Sequence, residues 1–206
     1  MRLRFLALLF VATGAFAQRW DSFHFGVKTG ADYYQFLSDG RNDATSQAFG
    51  YYVGLFFQAK IDEDLFLCPE VLYVGHKRDQ FVHGIGYTVG GMPMAGEWGE
   101  MRVREGILQF PLMTRYRFSR EFFGEVGPQV AYSIERNYDP IVSGNVPSQI
   151  TQKPDYEKVD FTLAAGVGLH ISSNFAFTAR AYVGLTKREY EARSAGVNLG
   201  IMAYFK

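Results

Sequence analysis

A chain of 206 residues with 48% hydrophobic and 20% charged side chains is long enough for one domain with a full core and too apolar to be disordered. The 21 Lys and Arg are balanced by 21 Asp and Glu, which removes the electrostatic reason to expect nucleic-acid binding. The single Cys68 excludes an internal disulfide framework and a CxxC zinc site, while 17% aromatic residues and 22 glycines lean toward β-structure.

Residues 1–17 carry the pattern of an export signal. Arg2 and Arg4 precede the apolar run from Phe5 to Ala12, and Ala15-Phe16-Ala17 supplies a small-x-small cleavage site before Gln18. The run is shorter than the roughly 20 residues that a membrane-spanning helix needs. Residues 18–206 are then expected to form one domain.

From residue 23 onward, period-two alternation recurs in eight segments, each the pattern of a strand with two different faces. The first sets Phe23, Phe25, Val27, Thr29, Ala31 and Tyr33 against Lys28 and Asp32. The second sets Phe49 to Ala59 on odd positions against Gly50, Tyr52, Gly54, Phe56 and Gln58. In the third, Leu65, Leu67, Val71 and Tyr73 oppose Cys68 and Glu70. The fourth opposes Leu108, Phe110, Leu112, Thr114, Tyr116 and Phe118 to residues of the other parity. The fifth sets Phe122, Val126, Val130, Tyr132 and Ile134 against Glu125, Gln129 and Ser133. The sixth runs from Val159 to Ile171, the seventh from Phe175 to Leu185 and the eighth from Val197 to Phe205.

A soluble barrel alternates too, but its polar face carries many Lys and Glu. Here that face holds Gly, Ala, Ser and Thr with isolated charges, which suits a narrow interior, while the apolar face suits lipid. The connections alternate as well. Residues 61–64, 119–121 and 172–174 are short turns, whereas 35–48, 75–100, 135–158 and 186–194 are long. Aromatic residues cluster at both ends of the apolar bands, as at membrane interfaces. These features predict an all-β fold: an eight-stranded antiparallel up-and-down transmembrane β-barrel with short periplasmic turns and long extracellular loops.

The stretches GLFFQAKIDEDLFLCPEVLYVG (54–75), LQFPLMTRYRFSREFFGEVGPQVAY (108–132) and DFTLAAGVGLHISSNFAFTARAYVGL (160–185) carry a family resemblance. Their Pro-Glu-x-Leu-Tyr strand, apolar-Pro-Leu strand, Gly-Pro pair and Ala-Arg-x-x-x-Gly-Leu run, in this order, resemble the PorT-like outer-membrane β-barrel family common in Bacteroidetes. The resemblance implies an outer-membrane location. Some members of that family serve type IX secretion and gliding, a role that no residue here carries over.

An eight-stranded barrel is about filled by its own side chains, so an open pore is disfavoured. The inward charges must then pair. The candidates are Lys28, Glu70, Arg115, Arg117, Glu125 and Arg180, with Asp32, Asp160 and His170 also facing inward. If the 119–121 turn is symmetric about Arg120, Arg115 lies opposite Glu125. The same construction about Ser173 puts Arg180 opposite Gly166. A structural ion-pair plug and a proton or solute path remain the two readings of this set.

Three function classes follow. A filled envelope barrel acting in structure or interaction is the first. The second is surface adhesion, or membership of a secretion complex, through Phe81, Tyr87, Trp98, Tyr138 and Tyr156 on the long loops. The third is a lipid-modifying enzyme, disfavoured because no spaced Ser, His and acid signature stands out, with His76 and His83 placed in or beside the second long loop. No catalytic residue, metal ligand or cofactor is assigned. The expected partners are outer-membrane lipid and lipopolysaccharide, the barrel-assembly machinery and a protein met by the loops, with the barrel itself a monomer.

Overall fold

The computed structural model describes residues 23–37, 47–82, 87–89, 92–94, 99–141, 157–189 and 192–205. The expected signal segment, residues 1–17, lies outside them. Among the described residues there are ten strands: β1 (Phe23–Leu37), β2 (Gln47–Lys60), β3 (Leu65–Val82), β4 (Tyr87–Val89), β5 (Met92–Met94), β6 (Gly99–Arg117), β7 (Phe122–Ile141), β8 (Val159–His170), β9 (Phe175–Glu189) and β10 (Ala192–Phe205). Eight of them close into a barrel in the order β1-β10-β9-β8-β7-β6-β3-β2, and β4 and β5 pair only with each other. Every adjacent pair is antiparallel, and β1 closes on β10 from Phe25 opposite Phe205 to Leu37 opposite Arg193.

The alternation of side chains decides this form. Odd residues of β2 point outward, so that Phe49 is 68% exposed, while Tyr52 and Phe56 between them are buried in the lumen. Val167 and Leu199 are likewise exposed on the outer wall. A face this apolar and this exposed requires a non-aqueous surround. Aromatic pairs ring both ends. Phe25 packs on Phe205 at 5.6 Å and Tyr116 on Phe118 at 5.3 Å at one end, Tyr33 on Phe49 at 5.0 Å and Tyr51 on Tyr73 at 6.3 Å at the other.

The lumen is filled by setting large side chains over glycines of the neighbouring strand. The Phe123 ring lies over Gly168 and the Tyr182 hydroxyl over Gly196, so a Cβ at either glycine would overlap the ring or the hydroxyl group. Without those glycines the aromatic layers could not fit inside eight strands.

Short turns join β2 to β3, β6 to β7 and β8 to β9. In two of them one serine does the same work: Ser119 Oγ accepts from the Glu121 and Phe122 amides, and Ser172 Oγ from those of Asn174 and Phe175. The opposite end differs from the sequence expectation. Strands β3, β6 and β7 run on to Val82, from Gly99 and to Ile141, so residues 75–82 and 99–100 of the expected 75–100 loop and residues 135–141 of the expected 135–158 loop are barrel sheet. The expected 186–194 loop shrinks further, since β9 ends at Glu189 and β10 resumes at Ala192. The reason is hydrogen bonding: once out of the apolar band, the ladder has no cause to stop where side-chain polarity changes.

Candidate functional site: a charged lumen

Five ionisable side chains meet in the half of the lumen nearer the short turns. Lys28 comes from β1, Glu70 from β3, Arg115 from β6, Glu125 from β7 and Arg180 from β9, and none is more than 4% exposed. Arg180 grips both carboxylates. Its two terminal nitrogens donate to Glu70 at 2.9 and 2.8 Å, while Nε and Nη2 donate to Glu125 at 2.9 and 2.6 Å. Such forked geometry is what a guanidinium offers and an ammonium does not. Lys28 Nζ lies 3.3 Å from Glu70 and 3.8 Å from Glu125.

Arg115 completes the group. It stands opposite Glu125 in the β6–β7 ladder, donates to it at 2.9 Å, and also donates at 2.8 Å to Gln58 and at 2.8 Å to Tyr204. Its guanidinium lies 4.1 Å from the centre of the Phe123 ring. Arg180 has Gly166 beside it on β8, and that missing side chain leaves room for the guanidinium to cross the lumen. Three cations face two carboxylates, so the cluster carries one excess positive charge.

Arg117 needs a correction. Its parity matches Arg115, yet it is exposed at the short-turn rim, bonded at 2.9 Å to Asp64 and stacked at 5.4 Å over Phe66. It is the last residue of β6, where water is within reach of a long side chain.

A second polar layer lies toward the other end. Asp32 accepts from His76 Nε2, Asn198 Nδ2 and, at 3.2 Å, the Tyr182 hydroxyl, with the Tyr34 ring stacked on His76 at 5.0 Å. Asp160 accepts from Thr186 at 2.7 Å and Ser194 at 2.5 Å. His76 was expected in or beside a loop, whereas it sits in β3 facing inward. The signal was available: His76 shares the even parity of Glu70, Leu72 and Val74. Beyond the apolar band, Asp79 and Arg102 pair across β3 and β6 at 2.8 Å, and this hydrogen bond holds the Asp79 carboxyl below the usual aspartate range.

The aromatic candidates behave differently from a loop cluster. Phe81, Tyr87 and Tyr138 fall in β3, β4 and β7, where they pair by backbone with Glu100, Met94 and Val103. Trp98 and Tyr156 lie outside the described residues.

The arrangement binds its own charges to one another, and it does so in a barrel whose outside is apolar. Two solved structures are similar to this chain, and the first of them shares its fold. Neisserial surface protein A is 12% identical with a TM-score of 0.52, over 88% of this chain and 97% of that one. The attachment invasion locus protein Ail of Yersinia pestis is 11% identical with a TM-score of 0.46, over 89% and 99%. No curated protein sequence matches. Residues 16–188 match the family model for the outer membrane protein β-barrel domain, so the chain belongs to that family and resides in the outer membrane.

Proposed function

We propose that this barrel is a non-enzymatic envelope component that acts through its surface, with a lumen sealed against diffusion. The observation that carries the reading is the buried cluster of Lys28, Glu70, Arg115, Glu125 and Arg180, whose ion pairs span the lumen from five strands. A solute path would need those charges to be hydrated and replaceable. Here Glu70 is paired with two cations and Glu125 with three, which favours a plug over a path.

In this reading a cleaved signal peptide, residues 1–17, exports the chain, the assembly machinery inserts it as a monomer, and the short turns face the periplasm. The sheet extensions beyond the aromatic belt are the part available to a protein partner or to lipopolysaccharide. Membership of a PorT-like secretion assembly is the more specific version, supported by the motif order between residues 54 and 185.

The test has two arms. Purified monomer in planar bilayers gives no stable large conductance steps; such steps would refute the sealed lumen. Photo-crosslinkers at Asp79 and Arg104 in native membranes capture a defined partner if the barrel acts through its outer extensions. Recovery of secretion components would select the narrower reading.

A further inference from the structure

The barrel rim opposite the short turns is uneven beside β8. That strand starts at Val159, opposite Tyr132, and its ladder with β7 ends where the Ser133 amide donates to the Lys158 carbonyl at 2.8 Å. Its two neighbours go on. β7 continues to Ile141, held from one side by β6, with Glu135 opposite Gly106 and Ile141 opposite Glu100. β9 passes Gly184, where its pairing with β8 stops, and runs to Glu189, held from one side by β10.

Two strand edges therefore face each other above the end of β8. Neighbouring strands lie about 4.8 Å apart, so β7 and β9, one strand removed from each other, leave a slot about 10 Å across, the width of one more strand. Among the described residues no strand fills it, and Glu157 and Lys158, just before β8, have already left the ladder. The same register continued upward would set Pro154, which has no N–H to give, opposite Asn137. Unpaired strand N–H and C=O groups are a template for another strand. At the foot of the slot Ile134, Val159 and Leu185 are exposed and apolar, while Glu135 and Asn137 above them are exposed and polar.

We propose that this slot receives an extended peptide segment of another protein, which adds a strand between β7 and β9 and rests an apolar side chain on Ile134, Val159 and Leu185. A second copy in the same membrane does not fit. Strands of such barrels tilt by about 35–45°, so a two-fold axis along the membrane normal would cross two β7 edges at about 70–90°, too steep for a ladder. The inference rests on the surface role proposed above and deepens it, naming where the partner is held and by which groups.

The test is amide hydrogen exchange, followed by NMR, on the full barrel in lipid nanodiscs. Main-chain bonding tolerates many sequences, so the probe is a soluble peptide alternating valine and threonine between terminal lysines. The control is the same peptide N-methylated throughout, which keeps the side chains and removes the donors. Without peptide, those amides of residues 135–139 and 185–189 that do not bond to β6 or β10 exchange freely. The probe slows them about tenfold, the effect of one net hydrogen bond, and the control does not. Protection before any peptide is added means that the chain fills its own slot, which overturns the proposal. Exchange unchanged by the probe, or slowed equally by the control, overturns it too. A partner captured at Asp79 or Arg104 whose complex leaves the slot amides unprotected would keep the surface role and overturn the slot alone.

Discussion

Arg115 and Glu125 stand opposite each other in the β6–β7 ladder and are joined at 2.9 Å, but they are not equal partners. Glu125 also takes Arg180 and Lys28, whereas Arg115 has no other carboxylate among the described residues. Removing Arg115 leaves two cations against two carboxylates; removing Glu125 leaves three cations against one.

The two single substitutions are therefore expected to differ. Glu125→Met should cost about 3–5 kcal/mol, the range for an uncompensated buried charge. Arg115→Met should cost clearly less, and adding it to Glu125→Met should recover part of the loss. The reading is the urea midpoint of the refolded barrel. Equal single costs that add in the double variant would mean that the pair is not coupled.

A second expectation concerns the aromatic layer. Gly168→Ala puts a methyl group into the Phe123 ring and should destabilise by about 1–3 kcal/mol through overpacking. Shortening the ring in Phe123→Leu should offset that cost when combined with Gly168→Ala. No recovery in the combined variant would show that the clash lies elsewhere.

Arg117 supplies a contrast. Its pair with Asp64 is water-exposed, so Arg117→Ala should change stability by only about 0–1 kcal/mol. A loss as large as that from Glu125→Met would return Arg117 to the lumen.

Topology is open to direct labelling. Single cysteines at Ser173 and Asp79, in a Cys68→Ser background, should react differently with a membrane-impermeant maleimide on intact cells: label at Asp79, none at Ser173. The reverse pattern would invert the barrel.

Much of this architecture is legible in residue parity, because period two in a strand assigns a face without further information. Phe49, Tyr51 and Val53 lie outside and Tyr52 and Phe56 inside for that reason alone. Parity assigns no depth, however. Arg115 and Arg117 share a face, yet one is buried and the other reaches water, since the second ends its strand. In the upper layer Asp32 and Asp160 follow from parity as well, whereas the strand placement of His76 is masked by its neighbours. The run His76-Lys77-Arg78-Asp79 has the polarity of a loop, and only backbone pairing, Lys77 with Arg104 and Arg78 with Val103, keeps it in the sheet. Fine contacts such as the forked grip of Arg180 depend on how far a side chain crosses the lumen, which no pattern along one strand can state.

The seam between β1 and β10 joins residues more distant in sequence than any other pairing in the barrel, and the charge cluster has an interest in that closure. Lys28 and Glu70 come from the first three strands, Arg115, Glu125 and Arg180 from β6, β7 and β9. While the seam is open, an inserted sheet turns these groups toward lipid or toward a half-wet groove, with Glu70 separated from the two nitrogens of Arg180 that hold it. Closing the seam brings the five together at once. The ion pairs thus reward the last step of assembly rather than the early ones, so the same residues that block the lumen make a half-zipped barrel the least comfortable state for the chain to occupy.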